Sequence, residues 1–407
     1  MTHFISTEES QILEGTFWRE HTTRQYLSQV TGFSRNKVSS LVSNLLSHGF
    51  MQEVGPQPHW RGKNHHLTLN AGLGYLIGVD LGWTSVTVAL STANMTVLHS
   101  LNKTLGPYQD QDAVLACITT LIEQVLGLQE IQAHEVLAIG LGLPATVNIE
   151  GGLLSVEHLP QWSYAGIHTH LSRAFGVRVF LDNDANIMAL GELWIQRRQH
   201  PQSEVENMIV IKVGHGIGAG IIANGQLYRG HDGAAGDIGH ICIDPEGPVC
   251  HCGRRGCLER LASARFIVEA AQRQAALKGS SLGQRFLSPD QIRYEAVLHA
   301  CREGDPEALE IIQRAGVRLG NVISNFVNFF NPSKVLIGGK IALAGPLLLA
   351  SIRQTVYSRS QPISSRHLSV DYTQLNERST VCGALALALL SAFRDAANPQ
   401  PLHFLQP

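Results

Sequence analysis

One local design occurs twice in this chain, and it limits the folds available. An apolar run, a polar glycine turn and a second apolar run appear as LIGVDLGWTSVTVAL from Leu76, and again as MIVIKVGHGIGAGIIANGQLYRG from Met208. Each copy reads as strand, tight turn, strand, because glycine takes turn conformations at little steric cost. A third strand around 96–105 extends the first copy into a meander. The pattern then alternates: a helical stretch over 112–126, a buried strand in LAIGLGLPATVN, then strand, loop and helix in VRVFLDNDANIMALGELW. Helical patterns fill 258–330, followed by a strand in KVLIGGKIA and a late apolar helix in STVCGALALALLSAF. The expectation is a duplicated α/β architecture with a cleft between two lobes. With 44% hydrophobic and 16% charged residues in 407, the chain has the apolar content that such cores require.

One segment breaks the pattern. PEGPVCHCGRRGCLE has no hydrophobic period, yet three of the seven cysteines crowd into it. An odd cysteine count argues against a disulfide framework. With His240 upstream, the spacing is H-x9-C-x-C-x4-C. Thiolate and imidazole are ligands that zinc prefers, and His240, Cys250, Cys252 and Cys257 would close a tetrahedral structural site. Gly253 and Gly256 would let the backbone fold around the ion. Cys117, Cys242, Cys301 and Cys382 have apolar neighbours and read as core thiols.

The first seventy residues have a different character. A short helix carrying Leu27, Val30 and Thr31 meets Gly32, and Ser34 follows as an N-cap. Behind it Val38, Leu41, Val42, Leu45 and Leu46 recur at helical spacing, and Gly49 ends the run. Two helices about a glycine turn match a helix-turn-helix. The outward positions of the second helix are polar. Ser34, Arg35, Asn36, Lys37, Ser39, Ser40 and Ser43 are the expected DNA contacts, with Asn44 beside them. Two extended pieces around Gly62 read as a wing, with Arg61 and Lys63 at its tip for phosphate. The plainer alternative is a small bundle with a solvated polar face. Over 1–70 there are six Lys/Arg against five Asp/Glu, and the whole chain carries a formal charge of −2. DNA binding must therefore come from a local surface, and a dimer would be needed for useful affinity.

GHDGAAGDIGHI followed by CHCGRRGCLE resembles the signature and zinc loop of the ROK family (repressors, open reading frames and sugar kinases). LDNDANIMALGE is similar to that family's catalytic segment, and GVDLGWTSV and GHGIGAGI to its two phosphate loops. The trailing wing resembles the family's repressor branch. The resemblance covers residues 10–395. It implies an actin/hexokinase-like (ribonuclease H-like) two-lobed sugar-kinase fold, a sugar in the cleft, and a homodimer or homotetramer. The expected division is a winged helix-turn-helix over 1–70, a first α/β lobe over 71–182, a second lobe with the zinc loop over 183–378, and a helix and tail over 379–407 packing on the first lobe.

The resemblance also assigns residues. Asn183, Asp184, Asp237, His240 and Glu259 match sugar-binding positions, and Asp184 matches the catalytic base of the kinases. Asp237 stands where the family usually has Glu, and His158, before LPQW, where many members have Asn. Asp80, Gly82, Thr84, Gly214 and Gly216 match the nucleotide loops. Trp83 replaces a second glycine there, His215 replaces a Thr, and Lys340 follows Gly338-Gly339 in place of a small residue. These departures fall at one ligand, ATP with Mg2+, while the sugar half is largely intact. The expectation is a cytoplasmic, sugar-responsive DNA-binding regulator, a repressor of carbohydrate-metabolism genes and not an enzyme. Its partners would be a double-stranded operator and a sugar or sugar-phosphate effector. The alternatives are an active ATP-dependent sugar kinase carrying a DNA-binding head, and a regulator whose body binds another protein. No uninterrupted apolar run of membrane-spanning length is present.

Overall fold

The structure, a computed structural model, describes residues 5–55, 66–106, 110–147, 153–155, 162–200, 205–286 and 288–397. The chain divides into two compact units, one formed by 1–204 with 380–407 and the other by 205–379.

The first unit begins with α1 (Thr7–Phe17), α2 (Arg24–Thr31) and α3 (Arg35–Ser47). The sequence predicts the second and third; α1 is an addition. It starts at a reciprocal cap, in which Ser6 Oγ accepts from the Glu9 amide and the Glu9 carboxylate accepts from the Ser6 amide. Gly32 closes α2 in the left-handed conformation, and Ser34 caps α3 by accepting from the Lys37 amide. Leu27, Val38, Val42 and Leu45 are buried with Ile12, Leu13 and Phe17 of α1, whereas Val30, expected on the apolar face, is 46% exposed. β1 (Met51–Val54) and β2 (His66–Leu69) pair antiparallel, Met51 opposite Leu69, where the two extended pieces are expected. The wing tip, with Arg61 and Lys63, lies outside the described residues, as does His158.

A five-stranded sheet follows. β3 (Tyr75–Leu81), β4 (Ser85–Thr92) and β5 (Val97–Thr104) form an antiparallel meander. Then come α4 (Gln111–Gly127), β6 (Val136–Leu143), the short pair β7 (Thr146–Val147) and β8 (Leu153–Ser155), α5 (Tyr164–Phe175), β9 (Arg178–Asn183) and α6 (Asp184–Gln199). The order is β5-β4-β3-β6-β9, with β6 parallel to β3 and β9.

The second unit repeats the plan. β10 (Met208–Val213), β11 (Ile217–Ala223) and β12 (Gln226–Tyr228) form its meander. Helices α7 (Leu258–Ala262), α8 (Ala264–Ala275), α9 (Ser281–Arg285), α10 (Tyr294–Arg302) and α11 (Pro306–Phe330) precede β13 (Lys334–Gly338); α12 (Pro346–Arg359) and α13 (Pro362–Ser365) precede β14 (Ser369–Tyr372). The sheet order β12-β11-β10-β13-β14, with β13 parallel to β10 and β14, matches the first sheet. The duplicated strand–turn–strand motif therefore seeds two copies of one topology, the actin/hexokinase-like fold.

The last helix, α14 (Ser379–Ala397), returns to the first unit. A Cβ on Gly140 of β6 would fall 2.0 Å from the Ala384 carbonyl oxygen, and one on Gly383 would fall 1.8 Å from that of Ile187 in α6. β6, α14 and α6 thus stack at distances that exclude any side chain at those two positions. This corrects the expected lobe boundary between 182 and 183. α6 buries Ala185 through Trp194 and Gln196, so it belongs to the first unit, and the division falls after 204. The span Asn376–Ala397 has the length and apolarity of a membrane helix, but most of it is buried. Its glycine-mediated contacts are those of a core helix.

Candidate functional site

In the second unit the irregular segment forms a compact loop on β11 and α7. The chain after β12 is tied to β11 by the Ala219 amide donating to the Gly236 carbonyl, at 2.8 Å. A short 3-10 turn, Ile238–His240, then presents the histidine. Cys242 bridges to Cys257 and Val249 to Arg255 in antiparallel fashion, and the Cys250 amide donates to Arg254 O at 2.7 Å. Gly253 and Gly256 both have positive φ, 79° and 64°, which the tight reversal requires.

This folding gathers His240, Cys250, Cys252 and Cys257. Their donor atoms all lie within 4.8 Å of one another. Cys250 Sγ is 3.7 Å from His240 Nδ1, and the Cys252 and Cys257 sulfurs are 3.6 Å apart. Burial and the neighbouring thiols push Cys257 up to about 12. Burial also acts to raise Cys252, but hydrogen bonds from Arg254 and the adjacent thiols outweigh it and bring that thiol down to about 7. Thiols this close ionise one at a time, and a divalent cation among them would supply the charge that deprotonates all three. The cluster can hold a metal ion. Of the remaining cysteines, Cys382 is buried, but Cys242 is exposed and so is not the core thiol expected.

Glu259 sits on the first turn of α7 beside this cluster. Its Oε2 accepts from the Ile217 amide at 2.9 Å, and its Oε1 is 3.3 Å from His251 Nδ1. Burial raises its pKa above the usual carboxylate value. The His251 ring meets that of His240 edge-on, with centroids 4.9 Å apart. His240, His251 and Glu259 thus form a second convergent group. His251 is not among the residues the sequence singles out, although its place between Cys250 and Cys252 is a usable signal. Asp237 is exposed at the start of the 3-10 turn.

In the first unit Asn183 caps α6. Its Oδ1 accepts from the amides of Ala185 and Asn186 at 2.9 and 3.3 Å, and its Nδ2 donates to Ala145 O at 3.0 Å. The cap is therefore Asn183, and Asp184 is the first helical residue, half-buried where the helix dipole favours a carboxylate. Asp182, also not among the residues singled out, is buried and accepts from the Asn183 amide and from Asn186 Nδ2 at 2.7 and 3.0 Å. It fixes the strand-to-helix turn that presents Asp184.

The glycine turns that resemble phosphate loops use several of their own amides. Gly82 N–H donates to Ser85 O at 2.9 Å, Gly214 N–H to Gly216 O at 2.9 Å, and Ile217 N–H to Glu259. Asp80, next to last in β3, stands opposite Thr87; Trp83 is half-buried, and Thr84 and His215 are exposed. Gly216 has a structural task of its own, because a Cβ there would stand 2.6 Å from Glu259 Oε2.

On α3, Ser34, Arg35, Asn36, Lys37, Ser39, Ser40, Ser43 and Asn44 are all exposed. Two of them are tied to α1: Lys37 Nζ lies 2.5 Å from Glu8, and Asn44 donates to Glu9.

The family model described as "ROK family" matches residues 76–390. The xylose repressor of Caldicellulosiruptor bescii is 29% identical over 371 residues, 90% of this chain and 91% of its own. The glucokinase of Thermotoga maritima is 32% identical over 316 residues, 77% of this chain and 96% of its own. Among solved structures, a ROK family transcriptional regulator, described as a homolog of the E. coli MLC protein, superposes with a TM-score of 0.76 at 30% identity, covering 96% of this chain and 98% of its own.

Proposed function

The chain belongs to the ROK family, and from that premise we propose that it is a sugar-responsive transcriptional regulator, acting as a repressor of carbohydrate-metabolism genes. One observation carries this reading: a complete helix-turn-helix with an exposed polar recognition face precedes the kinase-like body. The coverage of the relatives supports it. The repressor aligns along 90% of the chain, whereas the glucokinase aligns along 77% and is itself almost fully used. Ser34, Arg35, Asn36, Lys37, Ser39, Ser40 and Ser43 would face the operator, with Arg61 and Lys63 at the phosphates. Asn183, Asp184, Asp237, His240 and Glu259 would be the residues that bind the effector's hydroxyls. Asn183 brings little spare capacity, since its Oδ1 already accepts from the Ala185 amide and its Nδ2 donates to Ala145 O.

Zinc is the ion proposed for the cysteine cluster. Zn–S bonds of about 2.3 Å in a tetrahedron set sulfurs roughly 3.8 Å apart, close to the 3.6 Å between Cys252 and Cys257. Four protein donors would close the site, so its role is structural: the ion would hold His240 and, through the adjoining turn, Glu259.

Active sugar phosphorylation is the second reading, favoured by the glucokinase relative. The engaged amides of Gly82, Gly214 and Ile217 weigh against it, because a phosphate cradle needs its N–H groups unspent. The test is a thermal-shift screen of the zinc-loaded protein against hexoses, pentoses, N-acetylhexosamines and their phosphates, with and without Mg-ATP. Binding to an operator selected in vitro is then measured. Stabilisation by a sugar, insensitive to ATP and accompanied by a change in operator affinity, is the expected result. Sugar-dependent ATP turnover that disappears in Asp184→Asn would replace the repressor reading with the kinase one.

A further inference from the structure

The helix that opens at the proposed sugar residues closes on the DNA-binding head. α6 begins at Asp184 and runs for 16 residues, roughly 24 Å at 1.5 Å per residue. It is buried from Ala185 through Trp194. Its last turn emerges against the segment that follows α1, where the Arg197 guanidinium lies 4.6 Å from the centroid of the Trp18 ring. Next to it Arg198 stacks over Trp194 at 4.8 Å and donates to Asn94 O at 3.4 Å, with the Glu20 carboxylate near enough to act on its charge.

A second connection lies alongside. Arg394 of α14 donates two bonds of 2.9 Å to the Glu14 carboxylate on α1. The neighbouring Asp395 pairs with Arg178 at the start of β9, the strand that ends at Asn183. α1 in turn grips the recognition helix through Glu8–Lys37 and Glu9–Asn44. An unbroken series of packed or hydrogen-bonded residues therefore runs from Asn183 to α3 within one compact unit.

We propose that α6 and α14 act as a two-point strut that carries displacement at Asn183–Asp184 to the recognition helix, with Arg197–Trp18 and Arg394–Glu14 as its joints. A buried helix in a close-packed core shifts as a body and does not compress, so a small movement at its cap reappears at its far end. The joints sit at the rim, where contacts re-form at low cost, which suits a device that must adopt two positions. That a sugar drives the movement rests on the reading given above; the mechanical coupling does not.

The test is hydrogen–deuterium exchange on the full-length protein, read on peptides covering α6, α1 and α3. Asn183→Ala loosens the cap, and Asn183→Ser does so more mildly should the first not fold. The expected result is faster exchange in the first turn of α6 together with a several-fold change in α1 and α3. In an Arg197→Gln/Arg394→Gln background the change in α6 persists and the added change in α1 and α3 disappears. A head that stays unchanged when the cap is loosened, or that responds equally in the double variant, overturns the strut. D-glucose, D-xylose and N-acetyl-D-glucosamine are then added in turn. If none alters exchange at Asn183–Asp184, the sugar reading loses support while the cap variants still decide the strut.

Discussion

Gly216→Ala separates two explanations of the second glycine turn. As part of a phosphate loop, the residue would be glycine to admit a nucleotide. The structure supplies another reason: a Cβ would lie 2.6 Å from Glu259 Oε2, where ordinary contact begins at 3.4 Å. The carboxylate must retreat by about 0.8 Å, which would stretch the 2.9 Å bond from the Ile217 amide to roughly 3.7 Å, beyond hydrogen-bonding distance. A hydrogen bond to a charged group contributes about 1.5–3 kcal/mol. If Glu259 binds the effector in that held position, affinity should fall about 10- to 150-fold, at 1.4 kcal/mol per decade. The assay is calorimetric titration with the sugar that stabilises the wild-type protein. Gly214→Ala is the control, because a Cβ there meets nothing within 4 Å. Sugar affinity unchanged in Gly216→Ala would refute the reasoning. Loss of ATP binding with sugar binding intact would return Gly216 to the phosphate loop.

Two further outcomes test the second unit. Elemental analysis of protein purified without chelator should find one zinc per chain, and Cys257→Ser should abolish it and lower the melting temperature. Protein that folds and melts identically after exhaustive chelation would argue against a structural ion. Glu307 is held near pKa about 2: its burial acts to raise the value, but bonds from Ser280, the Leu282 amide and Gln274 outweigh that. A depressed folded-state pKa gives stability that is present above the ordinary value of 4.5 and is lost as pH falls through the folded value. Glu307→Ala should therefore be less stable than wild type in urea at pH 6, with the gap closing as pH is lowered from 4.5 toward 2; a constant gap would refute the assignment.

What the sequence could reveal followed from where the information lies. Strand–glycine–strand motifs are local, so both meanders, and with them the duplicated sheet, could be read from the chain. The cysteine cluster was legible for the same reason: eight consecutive positions carry three of its four donors. The boundary at 182/183 failed because α6 is assigned to its unit by α14, which lies almost two hundred residues downstream, through Gly383 and Ile187. No local pattern in LDNDANIMALGELW encodes that partner. The α1 cap was a missed local signal, since Ser6 and Glu9 have capping-box spacing. The engagement of Glu259 by the Ile217 amide could not be read at all, because it joins the first residue of β11 to a helix 42 residues away.

The electrostatics of the head bear on how many copies must act together. The α3 face offers Arg35 and Lys37 as cations, and Lys37 already has Glu8 as a partner at 2.5 Å. That pair is exposed, with side-chain accessibilities of 42% and 46%, so exchanging Glu8 for a phosphate costs at most about 1 kcal/mol. Release from Glu8 therefore does not bar Lys37 from DNA, but it leaves the head few cations to add. If Arg35, Lys37, Arg61 and Lys63 are the phosphate contacts, they would together neutralise about four phosphates, which gives a slope of log K against log salt of roughly −3.6 for one head and roughly −7 for two. Two heads on one operator add their contacts, so the pair would bind more tightly than a single head at a given salt even though its affinity falls more steeply as salt rises. The expected result, from operator titrations across a salt series, is a slope near −7 for an operator with two half-sites and about half that for an isolated half-site. Equal slopes on both would mean that one head acts alone, and the case for a dimeric regulator would fall with them.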